Sequence, residues 1–133
     1  MDTDRDLKLS LLLLRVGVFV VMFIWTIDKF VRPEHAAAVY ENFYFIEGVG
    51  RTAFIVLGVV ELAIIVGFLV GWKKRLTYGV VLVLHAVSTL SSYQTYLSPF
   101  EGPNILFFAA WPMLAACIAL YLLRERDTLL SMR

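Results

Sequence analysis

The chain has 133 residues, 60% of them apolar, and a mean hydropathy of +0.78. Soluble domains are about 45–50% apolar, so the composition excludes an ordinary water-soluble domain and leaves room for a single compact membrane unit. A net charge of +1 with no block of five like charges argues against nucleic acid as a partner, and the lone Cys117 excludes an intrachain disulfide or a Cys-x-x-Cys redox pair.

The first apolar run, from Leu9 to Phe30, is long enough to cross a bilayer. Its flank, MDTDRDLK, is acidic as well as basic, and no small-residue cleavage site follows, so the run reads as a retained span. Arg15 interrupts it. Arg15, Phe19, Met22, Thr26 and Lys29 recur at a spacing of three or four, which puts both cations on one face, looking into a bundle. Asp28 and Lys29 close the span. Being adjacent, they point about 100° apart and cannot both face one partner.

Residues 31–51 form the longest connection. Pro33 followed by Glu34 predicts the first turn of a short helix, where proline lacks only a donor that would be unpaired. Tyr40, Phe43, Tyr44 and Phe45 then cluster as an aromatic segment suited to the headgroup layer, or to a lid over the bundle mouth.

Span two, about 52–70, carries Glu61 halfway along an apolar helix, close to the bilayer midplane. An ionised side chain there costs at least ~2.5–3.5 kcal/mol. Phe54, Gly58, Glu61, Ile65 and Phe68 share its face, and Gly67 and Gly71 offer a small-xxx-small approach for another helix. Trp72 marks the interface, and the turn Lys73, Lys74, Arg75 favours the cytoplasmic side.

Span three, about 76–92, puts His85 on a face with Tyr78, Ser88, Thr89, Ser92 and Tyr96. The segment SPFEGPN stops it. Span four, about 105–123, contains Pro112, which predicts a kink, and RERDTLLSMR reads as a short charged tail. Four spans place eight cations on the side of the 73–75 turn and three (Lys29, Arg32, Arg51) on the other, so both termini are expected in the cytoplasm.

Intramembrane acids face bundle interiors or cavities. Glu61 is therefore either a protonated, hydrogen-bonded packing acid or the centre of an ion-paired or proton-carrying site. Arg15, Asp28 and His85 are the groups available to offset it. Arg15 either snorkels to the surface or pairs with Glu61. His85 is a core histidine or a relay beside Glu61. Membrane haem usually takes two axial ligands, and the only other histidine, His35, lies in the outer connection, so neither haem nor another metal is expected. Arg15, Glu61 and His85 thus form the candidate ligand or proton-relay set. Asp28, Lys29, Tyr40, Tyr44, Ser88 and Ser92 outline a candidate outer mouth. Cys117 reads as a small packing residue.

An arginine early in span one (LLLLRVGV), a lysine closing it (IDKF), and Gly58, Glu61, Leu62, Gly67 and Gly71 in the pattern G-x-x-E-L-x-x-x-x-G-x-x-x-G resemble the DoxX family over about residues 9–123. Asp28 departs from the small residue many relatives carry there. The resemblance implies a compact four-helix protein of the plasma (inner) membrane of a prokaryote. The family is named for a small subunit of an archaeal quinone-linked oxidoreductase acting on thiosulfate. Other members look like membrane partners of redox or oxidative-stress proteins, and distant animal relatives act as receptor assembly factors.

The expectation is thus an all-α, integral membrane four-helix bundle, one domain, with a short interfacial helix between spans one and two. Its expected role is a non-catalytic subunit or partner of a quinone-linked redox system, with membrane lipids around it and a protein partner or a second copy beside it. The residues specify no cofactor, and quinone is the ligand considered. The alternatives are a membrane scaffold or assembly factor and, in an oligomer, a small-solute or proton pathway.

Overall fold

The computed structural model describes residues 2–43 and 50–132, and within them the protein is built from helices alone. Tyr44, Phe45 and Glu47 of the aromatic connection lie outside the described residues.

Helix α1 spans Thr3–Val31, starting six residues ahead of the apolar run. The early start has a local cause. Asp2 Oδ1 accepts the Arg5 N–H at 3.0 Å, and Asp4 and Asp6 sit in the first turn, where the helix dipole favours negative charge. The helix ends where Arg32, preceding a proline, leaves helical geometry at φ −132° and ψ 68°. Pro33 then opens α2, Pro33–Phe43, in the first-turn position expected of it.

Helix α3, Arg51–Val70, stops at Gly71, which adopts φ +75°. The Trp72 N–H bonds to the Gly67 carbonyl at 2.8 Å and the Gly71 N–H to the Phe68 carbonyl at 3.2 Å, the paired bonds of a Schellman ending. A Cβ on Gly67 would stand 3.1 Å from Thr77, so this glycine is where the next helix comes close. Helix α4 spans Lys74–Ser91 and a short α5 spans Tyr93–Leu97. A 3₁₀ segment, Asn104–Ala109, leads into α6, Ala110–Leu122. The kink expected inside span four becomes a change of helix type. Pro112 falls in the first turn of α6, where a missing N–H costs little, just after the 3₁₀ winding ends.

Helix α1 packs along α3 and α4 along α6; α3–α4 and α1–α6 contacts close the four into a ring, with α2 against α1 and α3. The connected cluster of buried apolar residues lies toward one end, with Ala36 and Phe54 buried outside it. It joins Leu11 and Val18 of α1, Ile65 and Phe68 of α3, Tyr78 and Val81 of α4, and Cys117 and Leu120 of α6, all on the side of the 71–73 turn. The inward face of α3 includes Phe54, Gly58, Ile65 and Phe68, all buried, and the partly buried Glu61.

Among the described residues, three stretches are long and apolar enough to cross a membrane: Thr3–Val31, Thr52–Val70 and Asn104–Leu122. Helix α4 is not among them, because Lys74, Arg75, His85 and a run of hydroxyl residues lower its hydropathy. Large apolar side chains point outward, with Leu13, Ile24, Leu90 and Leu122 each more than three-fifths exposed. Contiguous apolar surface of this kind suits lipid and not water, as in an α-helical membrane protein.

Candidate functional site

Opposite the packed core, the bundle holds a cavity of about 1090 Å³. Ligand pockets commonly measure about 300–1,000 Å³, so the volume suits a whole organic ligand. Helix α1 lines it from Leu13 to Lys29, a length of about 24 Å by helical rise. Helix α2 contributes Ala36, Val39, Tyr40 and Phe43, and α4 contributes His85, Ser88 and Ser91, with Ser92 just beyond its end. Several lining residues are well exposed, Leu13 and Leu106 by 64% and 72%, so the cavity opens on the flank of the bundle.

The cavity is chemically graded. Near Leu14, Val18 and Ala116 its wall is apolar; near the α1–α2 junction it carries Asp28, Lys29, His35 and Glu61. Lys29 Nζ donates to Glu61 Oε2 at 3.1 Å, and the Thr26 hydroxyl lies 3.3 Å from the same oxygen. Asp28, next in sequence, turns away to a different set of partners. Its Oδ2 is 2.5 Å from His35 Nδ1 and its Oδ1 accepts Arg32 Nε at 2.7 Å. Trp25 stacks on His35 with ring centroids 6.2 Å apart. Acid and base therefore alternate along this end of the wall, each held by its neighbour.

His85 stands on α4, 8% exposed. Its Nε2 lies 2.9 Å from the Ala110 carbonyl, which can only accept, so Nε2 carries the hydrogen. Thr89 Oγ1, 3.2 Å from the same nitrogen, gives its own hydrogen to the His85 carbonyl at 2.8 Å and so accepts from the ring as well. The cavity thus gathers Glu61, His85, Asp28, Lys29, Tyr40, Ser88 and Ser92 from the sequence-derived set.

Comparison with protein-family models, curated protein sequences and solved structures gave no match.

Arg15 stands apart. It neither snorkels nor meets Glu61, the two readings its sequence position allowed. It is 1% exposed and donates from one terminal nitrogen to Asp127 Oδ1 at 2.7 Å. The other terminal nitrogen reaches the Leu129 and Leu130 carbonyls at 2.5 and 3.2 Å. Tyr78 Oη donates to Asp127 Oδ2 at 2.5 Å, and Lys74 Nζ donates to the Asp127 carbonyl. This cluster knots the polypeptide after α6 onto α1 and α4 at the core end of the bundle, away from the cavity. Arg15 is therefore an anchor of the fold and not a lining residue, because a nearer carboxylate satisfies it. Tyr44 lies outside the described residues.

Asp127, in the anchor, and His35, on the cavity wall, are the ion-pair partners that the sequence alone did not single out. Asp127 sat in a segment rich in charge, where nothing distinguished a buried acid from a solvated one. His35 carried a signal, since it lies seven residues after Asp28 across a proline break.

Proposed function

We propose that this protein is a small, DoxX-like integral membrane subunit or partner of a quinone-linked redox system in a prokaryotic inner membrane, and that the cavity takes the quinone. The observation that carries this reading is the graded cavity: an apolar channel open on the lipid-facing flank, ending in fixed polar groups. A lipid-soluble amphiphile with a polar ring and an apolar tail matches that gradient, and side access lets it enter without leaving the bilayer.

The same reading takes α4 as the fourth span, with both termini in the cytoplasm. From Thr77 onward its polar residues are buried or line the cavity, while Leu76, Val83 and Leu90 are exposed on the outside. That is the pattern of a span whose hydroxyls and histidine are hidden from lipid.

The test is a cavity-filling substitution. A Cβ on Gly17 would meet nothing within 4 Å, and Gly17 lines the cavity, so a side chain there starts in open space, and Gly17→Phe puts a ring where the ligand would lie. Purified protein in nanodiscs should bind a short-chain benzoquinone, read by Trp25 fluorescence, and Gly17→Phe should abolish binding at an unchanged melting temperature. Undiminished binding in that variant would refute the cavity as the site.

A scaffold or assembly role is the second reading, favoured by one observation: Asp28, Lys29, His35 and Glu61 already satisfy one another inside the chain. It predicts a stoichiometric protein partner in gentle detergent, with no small ligand retained.

A further inference from the structure

Not every polar group on the cavity wall is satisfied. Along α4, His85, Ser88 and Ser91 follow at intervals of three residues and line the cavity together. The His85 ring is fixed by the Ala110 carbonyl, which leaves Nδ1 as a bare acceptor. Neither Nδ1 nor the Ser88 and Ser91 hydroxyls make a hydrogen bond among the described residues, whereas Ser92 Oγ returns its hydrogen to the Ser88 carbonyl at 2.9 Å. Arg15 Nε is the one fully enclosed side-chain nitrogen or oxygen without a partner among the described residues, so these three groups are not sealed inside protein. The space they border is the cavity.

An unmade hydrogen bond in an apolar cavity costs about 1–3 kcal/mol, so such groups favour a ligand that completes them. The acid–base pairs on α1, α2 and α3 ask for no such partner, since they already hold one another. The three groups on α4 rise about 4.5 Å from one to the next, the scale of a six-membered ring. Nδ1 can only accept, which calls for an O–H on the ligand.

Building on the quinone reading above, we propose that the headgroup docks on the α4 stripe His85–Ser88–Ser91 and not on the Lys29–Glu61 pair, and that the cavity prefers the hydroxyl-bearing, reduced headgroup. A hydroquinone gives one O–H to His85 Nδ1 and meets the serine hydroxyls as donor or acceptor. A quinone has only acceptors, so against it Nδ1 remains unpaired. Ser88 and Ser91 are positioning residues in this scheme, and His85 is the group that discriminates.

The experiment compares three probes on the intact protein in nanodiscs under anaerobic conditions: a decyl-benzohydroquinone, the matching benzoquinone, and the dimethyl ether of the hydroquinone. The hydroquinone should bind about tenfold more tightly than either of the others, as one completed hydrogen bond predicts. Because His85 also braces Ala110, the first variant is Ser88→Ala with Ser91→Ala, which removes no bond the fold uses. It should lower hydroquinone affinity about fivefold or more and leave the ether unchanged. His85→Phe should erase the preference between hydroquinone and ether, and His85→Gln, which keeps a donor and an acceptor, should restore part of it. Equal affinity for all three probes would overturn the inference and leave the quinone reading standing. Binding of none of them would overturn both.

Discussion

Lys29 Nζ stands 3.1 Å from Glu61 Oε2, joining α1 to α3 across 32 residues of sequence. Its neighbour Asp28 joins α1 to α2 through His35. Two adjacent residues thus fasten one helix to two different elements, which follows from the roughly 100° that separates successive side chains on a helix. The tie is interactive: a cycle of Lys29→Met, Glu61→Gln and the double variant should give a coupling on the order of 0.5–3 kcal/mol in thermal unfolding, as expected for contacting charges. Strictly additive effects would show that the pair does not stabilise the bundle. Glu61→Gln should remain inserted in the membrane and bind benzoquinone more weakly, because the uncompensated Lys29 disturbs the polar end of the cavity.

Helix α2 hangs on Asp28. Asp28→Ala releases Arg32 and also His35, whose charge-assisted contact holds α2, so amides of residues 34–43 should exchange about tenfold faster, the loss expected of one such bond. Exchange in α4 should not change. Uniform acceleration across all helices would mean that Asp28 supports the whole fold and not α2 alone.

Asp127→Ala leaves the Arg15 guanidinium buried without its carboxylate, and removal of one partner of a buried pair typically costs about 3–5 kcal/mol. The melting temperature in detergent should fall sharply. Replacing both groups, Arg15→Leu with Asp127→Leu, should recover most of the loss, since no lone charge remains. An Asp127→Ala protein that melts like wild type would show that the buried pair contributes nothing.

Gly71→Ala should destabilise by about 1–2 kcal/mol from its left-handed backbone alone. A Cβ there would also stand 2.0 Å from Ser131 Oγ, so the segment 128–132 should lift off and become more sensitive to limited proteolysis. A stable variant with a protected tail would contradict the observed close approach.

Much of the fold was legible because periodicity and punctuation point the same way. Pro33 opened α2, and the face Phe54–Gly58–Glu61–Ile65–Phe68 turned inward as its spacing requires, whereas Gly71, read as a helix-approach residue, closes α3 instead. The start of α1 was missed because an N-cap, Asp2, outweighs hydropathy in setting a helix boundary. Pairings were harder to read. Sequence showed that Arg15 and Glu61 each needed an opposite charge, and the simplest solution pairs them with each other. The structure instead gives each a separate partner, 112 and 32 residues away, because distance in the fold and not count of charges decides who meets whom. The candidate site was visible as a list of polar residues. That all of them but Arg15 and Tyr44 border one cavity, and that His85 Nδ1 and the Ser88 hydroxyl make no hydrogen bond among the described residues, follows from packing that no single helix pattern encodes.

The distance in sequence between Arg15 and Asp127 also has a consequence in time. Translation proceeds at about 5–20 residues per second, so Arg15 is synthesised on the order of 6–22 s before the carboxylate 112 residues downstream. During that interval the nascent first helix carries an arginine without its permanent counter-ion, and its depth in the bilayer is open to adjustment. Its final seating waits for Asp127. Insertion of this chain is therefore completed by a residue that belongs to none of its long helices.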